Sequence, residues 1–284
     1  MPELPEVETV RKSLHNRLLG RTIESVRLYD FMGVLGDEDP DTFAALTIGR
    51  HVVDTRRRGK YILVDLDDGS FLLVHLRMTG TLMLVPRDDP PLRFEHLAIG
   101  FDHGLSLRFA DQRKFGRVLH VLPHASSLLE KKLGPEPFAP AFTAQALAAS
   151  LTRRTAPIKS VLLDQKTIAG MGNIYADEAL YRARIHPLTP ANQLSAGEIR
   201  RLHRSIREVL REGLGNRGTS ISHFRDGAGE AGSNQSNLRV YGKGRTGEPC
   251  GRCGRPLAFL VIGGRSSHFC PQCQQLTAAL AASQ

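Results

Sequence analysis

The sequence predicts an α+β chain of two domains, a strand-rich N-terminal half flanked by helix and a helical half that ends in a small cysteine-bearing appendage. Three observations predict it. The chain has 284 residues, which suits about two domains of ~150 residues each. Short apolar and alternating runs fill 22–122, whereas helical periodicity prevails beyond a Pro-rich stretch at 134–140. All 4 cysteines fall between 250 and 273.

The first element is a helix over 5–18. Val7, Val10, Leu14 and Leu18 recur at helical spacing, Pro5 suits a first turn and Gly20 suits the stop. The runs TIESVRLY, KYILVDL, SFLLVHL, TLMLVP, HLAIGFD and LSLRFA follow. Turn clusters such as Asp67-Asp68-Gly69 and Asp102-His103-Gly104 punctuate them. Short strands at this density make a β-sandwich or a barrel-like domain. Beyond the boundary GPEPFAP, helices are expected over 143–152, 156–164, 173–184 and 195–213, the last opened by a Ser195/Glu198 capping box. Residues 215–237 are rich in Gly, Ser and Asn and read as a mobile loop. The cysteines follow in 239–276, and the small residues of 277–284 read as a frayed end. The division is 1–133, 134–238 and 239–275.

Charge narrows the function classes. Lys+Arg 38 against Asp+Glu 29 leaves +9, with a pI near 9.7. That favours a polyanionic partner, nucleic acid or an anionic membrane surface, and excludes an acidic disordered chain. No run of about 18 apolar residues would span a bilayer. MPELPEVETVRK lacks the basic and apolar regions of a secretory signal, so a cytosolic chain is expected. In that reducing compartment clustered cysteines indicate metal ligation before disulfides.

Cys250-Gly-Arg-Cys253 and Cys270-Pro-Gln-Cys273 are two C-x-x-C knuckles. Each turns the backbone so that two thiolates grip one ion, and two knuckles give the tetrahedral four-sulfur site that zinc prefers. A closed four-sulfur site leaves no open coordination position, so one structural Zn²⁺ is expected and no catalytic one. The neighbourhood is basic, with Arg239, Lys243, Arg245, Arg252, Arg255 and Arg265 against Glu248. It suits phosphate contact; a zinc ribbon for protein contacts is the alternative. The histidines show no second ligand spacing.

Other candidates carry two readings each. Arg56-Arg57-Arg58-Gly59-Lys60 is a solvated loop or a phosphate contact. In Asp111-Gln112-Arg113-Lys114-Phe115-Gly116, Phe115 is either core or a wedge into a base stack. Gly170-Met171-Gly172-Asn173 would set backbone amides and an Asn amide at a helix N-terminus, suited to phosphate. At the chain start, removal of Met1 would leave Pro2 as a secondary amine beside Glu3. Such an amine, more of it neutral near pH 7 than of a lysine, can attack a sugar C1′, and the adjacent carboxylate can carry the proton.

MPELPEVETV, RRRGKYIL, HLRMTG, DQRKFG, GMGNIYADEAL and the four-cysteine tail stand in one order along the chain. Together they closely resemble the bacterial formamidopyrimidine-DNA glycosylases, base-excision enzymes for oxidised purines, over residues 2 to about 275. The resemblance implies an N-terminal β-sandwich with flanking helices, then a helix-two-turn-helix domain with a zinc-finger β-hairpin. It implies a bifunctional glycosylase and AP lyase that removes 8-oxoguanine opposite cytosine and formamidopyrimidines through an N-terminal proline Schiff base, with β,δ-elimination. The partner implied is double-stranded DNA carrying oxidised purines or abasic sites, held across the domain cleft. A monomer without membrane partners, in the bacterial cytoplasm, is expected.

Position by position, Pro2 resembles the nucleophile and Glu3 its proton donor. Lys60 matches the β-elimination lysine, and Arg265 the zinc-finger arginine of δ-elimination and phosphate clamping. Met78, Arg113 and Phe115 match the side chains that fill the gap left by the flipped nucleotide, with Arg113 facing the orphaned cytosine. Asn173 matches a phosphate ligand, and Arg154 and Lys159 fall at basic DNA-contact positions. The 215–237 loop falls where the family closes over the extruded base. There are two departures. Phe94 stands where family members often carry a DNA-contacting His, so one phosphate contact is lost or supplied elsewhere. Ser222 replaces a lysine of some relatives. The related endonuclease VIII type, which takes oxidised pyrimidines, is the nearest rival; Leu4, where that type has Gly, and the Arg113/Phe115 pair favour the purine enzyme. A non-catalytic damage-binding protein is the rival from another class.

Overall fold

The computed structural model describes residues 1–125, 130–221 and 224–276; Ser222 and the 277–284 end lie outside the described residues. Two compact units emerge, one formed by Met1–Lys131 with Gly213–Gln235, the other by Lys132–Glu212 with Ser236–Gln284.

In the first unit, helix α1 (Leu4–Leu18) opens the chain. Its expected stripe is the buried one: Val7, Val10, Leu14 and Leu18 are all fully buried. Helix α2 (Pro40–Thr47) starts on an Asp39 cap, whose carboxylate accepts from Thr42 N. Among the described residues, eight strands form two antiparallel sheets, which resolves the sandwich-or-barrel choice as a sandwich. One has the order β1-β6-β7-β5, from β1 (Ile23–Leu28), β6 (Glu95–Phe101), β7 (Leu105–Asp111) and β5 (Gly80–Pro86). The other has the order β2-β3-β4-β8, from β2 (Val52–Arg58), β3 (Tyr61–Leu66), β4 (Phe71–His75) and β8 (Arg117–Val121). An apolar core draws on α1 and both sheets, through residues such as Val10, Ile62, Leu72, Leu97 and Phe109. The two turn clusters read from sequence are turns, with Gly69 and Gly104 at positive φ.

The segment 215–237 departs from expectation. Composition placed it with the helical half as a mobile loop, but its described part up to Gln235 joins the first unit and is tied down. Thr219 N donates to Glu6 Oε1 (2.7 Å), Gly227 N to Ser13 Oγ (2.8 Å), and Leu84 N to Gly227 O (2.9 Å). Its backbone amides meet side-chain acceptors on α1, which composition alone does not reveal.

In the second unit, helices α3 (Ala144–Leu151), α4 (Ile158–Leu163), α5 (Asn173–Ala183) and α6 (Ala196–Gly215) match the four expected spans closely. The Ser195/Glu198 capping box forms, with Ser195 N to Glu198 Oε2 at 2.9 Å and Glu198 N to Ser195 Oγ at 3.3 Å. A two-stranded hairpin, β9 (Ala258–Ile262) and β10 (Arg265–Phe269), closes the unit. Its turn is Gly263-Gly264, both at positive φ between the paired Ile262 and Arg265. That conformation suits two glycines.

Candidate active site

The first cluster lies at the N-terminus of the first unit. Glu3 caps α1 in a capping box that Glu6 completes: Glu3 N donates to Glu6 Oε2 (2.8 Å), and the Glu3 carboxylate accepts from the N3 backbone. Both acids are 2% exposed. Glu6 thus holds the start of α1 with one oxygen and the 213–235 segment with the other. A Cβ at Gly218 (φ +82) would sit 3.0 Å from the Glu6 carboxylate, so only glycine lets the segment approach this closely. The sequence signal for Glu6 is the E-x-x-E spacing of a helix start.

Lys60 sits at the tip of the β2–β3 hairpin, 5% exposed. Arg58 pairs with Tyr61 in register, so Gly59-Lys60 is a two-residue turn, with Gly59 at φ +57 as a type II′ turn requires. The helix and this hairpin meet through a relay. Glu8 of α1 accepts from Arg57 Nε (3.2 Å), and Arg57 Nη1 donates to Gly59 O (2.9 Å). Of the RRRGK run, Arg57 and Arg58 are therefore structural, Arg58 pairing with Glu130 at 2.9 Å. His75 lies beside the hairpin, edge-on to Tyr61 at 4.5 Å between ring centres. Burial pushes its imidazole down to about 3, and the Arg77 and Lys60 cations add to that. Its neutral Nδ1 accepts from Arg77 N at 3.0 Å.

The second cluster gathers the gap-filling candidates. Met78, Arg113 and Phe115 are exposed, Phe115 by 49%, so Phe115 is not core. The Arg113 guanidinium lies over the Phe115 ring at 4.9 Å. Behind them sits Asp111, 1% exposed. Its carboxylate accepts from the amides of Arg113 (3.2 Å), Phe115 (2.8 Å) and Gly116 (2.7 Å), and from the Thr79 hydroxyl. Phe94 is exposed with φ +62; His96 is buried, its Nε2 on Asp111 O at 2.8 Å. The expected histidine contact at 94 is absent, and His96 is committed inward.

The second unit holds the other candidates. Arg265 is exposed beside the hairpin turn. Asn173 opens α5, and its Nδ2 donates to Ser266 O at 2.9 Å. The same Nδ2 also lies 3.5 Å from Ser266 Oγ, a long contact that a phosphate oxygen could displace. Arg154 is exposed and pairs with Asp164 at 2.9 Å. Lys159 corrects its expectation as a DNA contact: it is fully buried, its ammonium bonded to Asp177 and to Asn173 O (3.0 Å). Asp177 also accepts from His268 N at 3.0 Å, so one buried ion pair fixes both the start of α5 and the hairpin. Burial pushes the Asp177 carboxyl up to about 7, against the lowering pull of Lys159. Glu178 accepts from the successive amides of Arg239, Val240 and Tyr241 at 2.9–3.0 Å. Sequence reading missed both acids, although an adjacent acid pair in the apolar stretch GNIYADEAL was a signal of buried partners.

The four cysteine sulfurs all lie within 4.8 Å of one another. Cys253 and Cys270 sulfurs are 3.5 Å apart, and those of Cys250 and Cys273 are 4.0 Å apart. Disulfides need about 2.05 Å, whereas sulfurs about 2.3 Å from one tetrahedral zinc sit about 3.8 Å apart. Burial pushes the Cys250 thiol up, but bonds from Tyr181 Oη and the Arg252 and Cys253 amides outweigh it and bring it to about 6. Burial and the neighbouring sulfurs push Cys273 up to about 12. Crowded sulfurs of this kind resist becoming anions together unless a cation joins them, so the donor set fits one structural Zn²⁺. Arg252, though exposed, lies against α5, with Nη1 on Tyr181 O at 2.7 Å and its guanidinium over the Tyr181 ring at 4.3 Å.

Comparison with known proteins gives concordant matches. Residues 1–118 match the formamidopyrimidine-DNA glycosylase N-terminal domain. Residues 133–225 match the H2TH domain of the same enzymes, and 247–276 the zinc finger found in FPG and IleRS. A formamidopyrimidine-DNA glycosylase of Herpetosiphon aurantiacus is 46% identical over 96% of this chain and 100% of its own. That of Chloroflexus aurantiacus is 48% identical over 96% of this chain and 98% of its own. The chain belongs to the formamidopyrimidine-DNA glycosylase family. Like that family it is a DNA glycosylase and AP lyase. A solved Lactococcus lactis enzyme in complex with Fapy-dG DNA superposes with a TM-score of 0.90 at 38% identity, covering 97% of this chain and 100% of that one. A complex of the Lactococcus lactis enzyme with abasic-site DNA gives 0.89 at 39%, covering 96% and 100%.

Proposed function

We propose that this chain excises oxidised purines, 8-oxoguanine opposite cytosine and formamidopyrimidines, and then cuts the strand by β,δ-elimination. The observation that carries the reading is the N-terminus. Residue 2 directly precedes a helix capped by the buried Glu3 and Glu6, and a buried lysine stands on the hairpin that Glu8 and Arg57 tie to that helix. Once Met1 is removed, the Pro2 nitrogen attacks C1′ and the base leaves with its electron pair, taking a proton from Glu3. The Pro2 N–H proton then passes by way of Glu3 to O4′ as the C1′–O4′ bond opens, and the iminium left between Pro2 and C1′ withdraws electrons from C2′ and acidifies its proton. Loss of that proton, assisted by Lys60, expels the 3′ phosphate; a second elimination, assisted by Arg265, expels the 5′ phosphate. Met78, Arg113 and Phe115 fill the vacated stack, and Asn173 and Arg154 grip phosphate. Zn²⁺ on Cys250, Cys253, Cys270 and Cys273 supplies folding energy to the hairpin that carries Arg265. Double-stranded DNA bearing Fapy-dG or an abasic site, as in the Lactococcus lactis complexes, is the substrate, met by a monomer in the bacterial cytosol.

Borohydride trapping tests this directly. Protein with Met1 removed should form a covalent adduct with 8-oxoguanine:cytosine duplex; Pro2→Gly should weaken base excision strongly, and a Met1-retaining form should lose the adduct. Robust trapping with Met1 retained removes Pro2 from the role. Absence of trapping by the mature wild type favours a non-catalytic damage binder. The Lactococcus lactis enzyme has also been crystallised on an oxidised pyrimidine; faster release of thymine glycol than of 8-oxoguanine would assign this chain to pyrimidine lesions instead.

A further inference from the structure

We propose that Asp111 is a positioning residue that holds Met78, Arg113 and Phe115 as one rigid element, and thereby governs base extrusion and not the elimination chemistry. The proposal rests on the reading above that these three side chains enter the duplex.

The carboxylate is saturated. Oδ1 accepts from the Thr79 hydroxyl and the Arg113 amide, and Oδ2 from the amides of Phe115 and Gly116. A carboxylate offers about four lone-pair sites, and all are used. Thr79 adjoins Met78 on the β4–β5 turn, while Arg113 and Phe115 lie on the β7–β8 turn. One buried side chain thus fastens two loops that share no strand pairing at their tips. The Asp111 backbone reaches a third loop, its N–H donating to Phe94 O at 3.0 Å, while its carbonyl is held by His96.

Backbone conformation points the same way. The non-glycine residues at positive φ, among those described, are Arg77, Phe94, His103, Lys114, Arg184 and Arg217. Three of them, Arg77, Phe94 and Lys114, fall in the three loops joined at Asp111. Left-handed backbone at such residues persists only where the surroundings over-determine it. Gly116 closes the arrangement: a Cβ there would lie 2.3 Å from the Phe109 ring, so the loop packs directly on the core. Exposed apolar tips on a fully bonded base are what a wedge needs. A base already missing needs less extrusion than one still stacked, so loosening the base should separate two activities that share Pro2.

The experiment compares single-turnover base release from 8-oxoguanine:cytosine duplex with cleavage of a preformed abasic site opposite cytosine. Asp111→Asn can turn its oxygen to the Phe115 and Gly116 amides while the Thr79 hydroxyl reverses, which strands the Arg113 amide alone. Base release should fall about tenfold, the effect of one partly buried donor left without its acceptor. Abasic cleavage should stay within about twofold. Thr79→Val, which leaves Asp111 in place, should give a smaller loss of the same selectivity. 2-Aminopurine beside the lesion should report reduced unstacking in both variants. An equal loss of both activities, with a lowered melting temperature, would make Asp111 a merely structural residue and overturn the proposal. Phe115→Ala is the control. If it lowers base release selectively while both other variants keep the wild-type ratio, the wedge stands and the role of Asp111 fails. If Phe115→Ala leaves the ratio unchanged, the wedge reading fails and the proposal with it.

Discussion

Both units anchor their exposed working residues on buried carboxylates, but what stands behind those anchors differs. In the strand-rich unit, buried carboxylates accept backbone amides: Glu6 takes Glu3 N and Thr219 N, and Asp111 takes three amides of one loop. Behind them stands a core drawn from two sheets and a helix. In the helical unit, the hairpin that presents Arg265 has a small core of its own, Tyr181, Val240, Cys250, Leu257 and Cys270. It hangs on α5 through the Lys159–Asp177 ion pair, the Glu178 amide cage and the cysteine cluster. The difference teaches where each unit is vulnerable. Loss of an anchor in the first should loosen loops on an intact sandwich; loss of an anchor in the second should release the whole hairpin.

Zinc is the largest lever on this contrast. Structural zinc contributes apparent folding free energies of about 10–16 kcal/mol in isolated fingers. Cys270→Ser, or chelation, should therefore unfold 239–276, while hydrogen exchange of β3 and β7 amides stays native. DNA affinity should drop with the loss of the Arg265 hairpin. Retention of full DNA binding by zinc-free protein would detach the finger from recognition. Next comes the ion pair. Asp177→Asn leaves the Lys159 ammonium buried without its counter-charge, which costs about 3–5 kcal/mol. The loss should appear as faster exchange in β10 and α5 and not in the sandwich. Equal destabilisation of both units would erase the proposed contrast.

These anchors also mark the limit of what sequence discloses. The α1 stripe, the four helices of the second unit and the cysteine knuckles were legible because periodicity and spacing are local. Phe115 was undecided, since an aromatic after a strand is core or tip according to which way its loop is held, and Asp111 decides that. Lys159 was expected at DNA from the resemblance alone, and nothing local tells that Asp177, 18 residues on, neutralises it. The 213–235 segment looked loose because its partners, Glu6 and Ser13, lie near the opposite end of the sequence.

Acidity offers a smaller, graded probe of the first unit. His75 has its imidazole held down to about 3 by burial, with Arg77 and Lys60 adding; Tyr61 packs against its ring. The unfolded chain, with a histidine near 6.5, binds more protons than the folded one between these values. This contribution is thus complete above about pH 6.5 and is lost as pH falls through it, by at most about 1.4 kcal/mol per pH unit. Between pH 7 and 5, where most carboxylates stay ionised, the sandwich should lose stability in wild type and much less in His75→Gln. Parallel pH profiles for the two proteins would show that His75 is not the titrating group.

The smallest expected effect concerns Phe94, where the chain departs from its family. Phenylalanine is a poor occupant of φ +62, and histidine tolerates left-handed backbone better. Phe94→His should therefore leave stability unchanged or raise it by a few tenths of a kcal/mol. Its imidazole would face the solvent from the same loop, under the Arg93 guanidinium that now lies 4.7 Å from the ring centre. Charged, it adds one phosphate-directed cation, and the slope of log K against log salt should steepen by about 1. The charge requires low pH, so the steepening should appear at pH 6 and vanish at pH 8. A slope that stays put at pH 6 would mean that this loop does not meet the phosphate backbone. In that case the anchoring of the 92–96 loop to Asp111 serves only the fold, and the contrast between the units narrows to the two remaining tips.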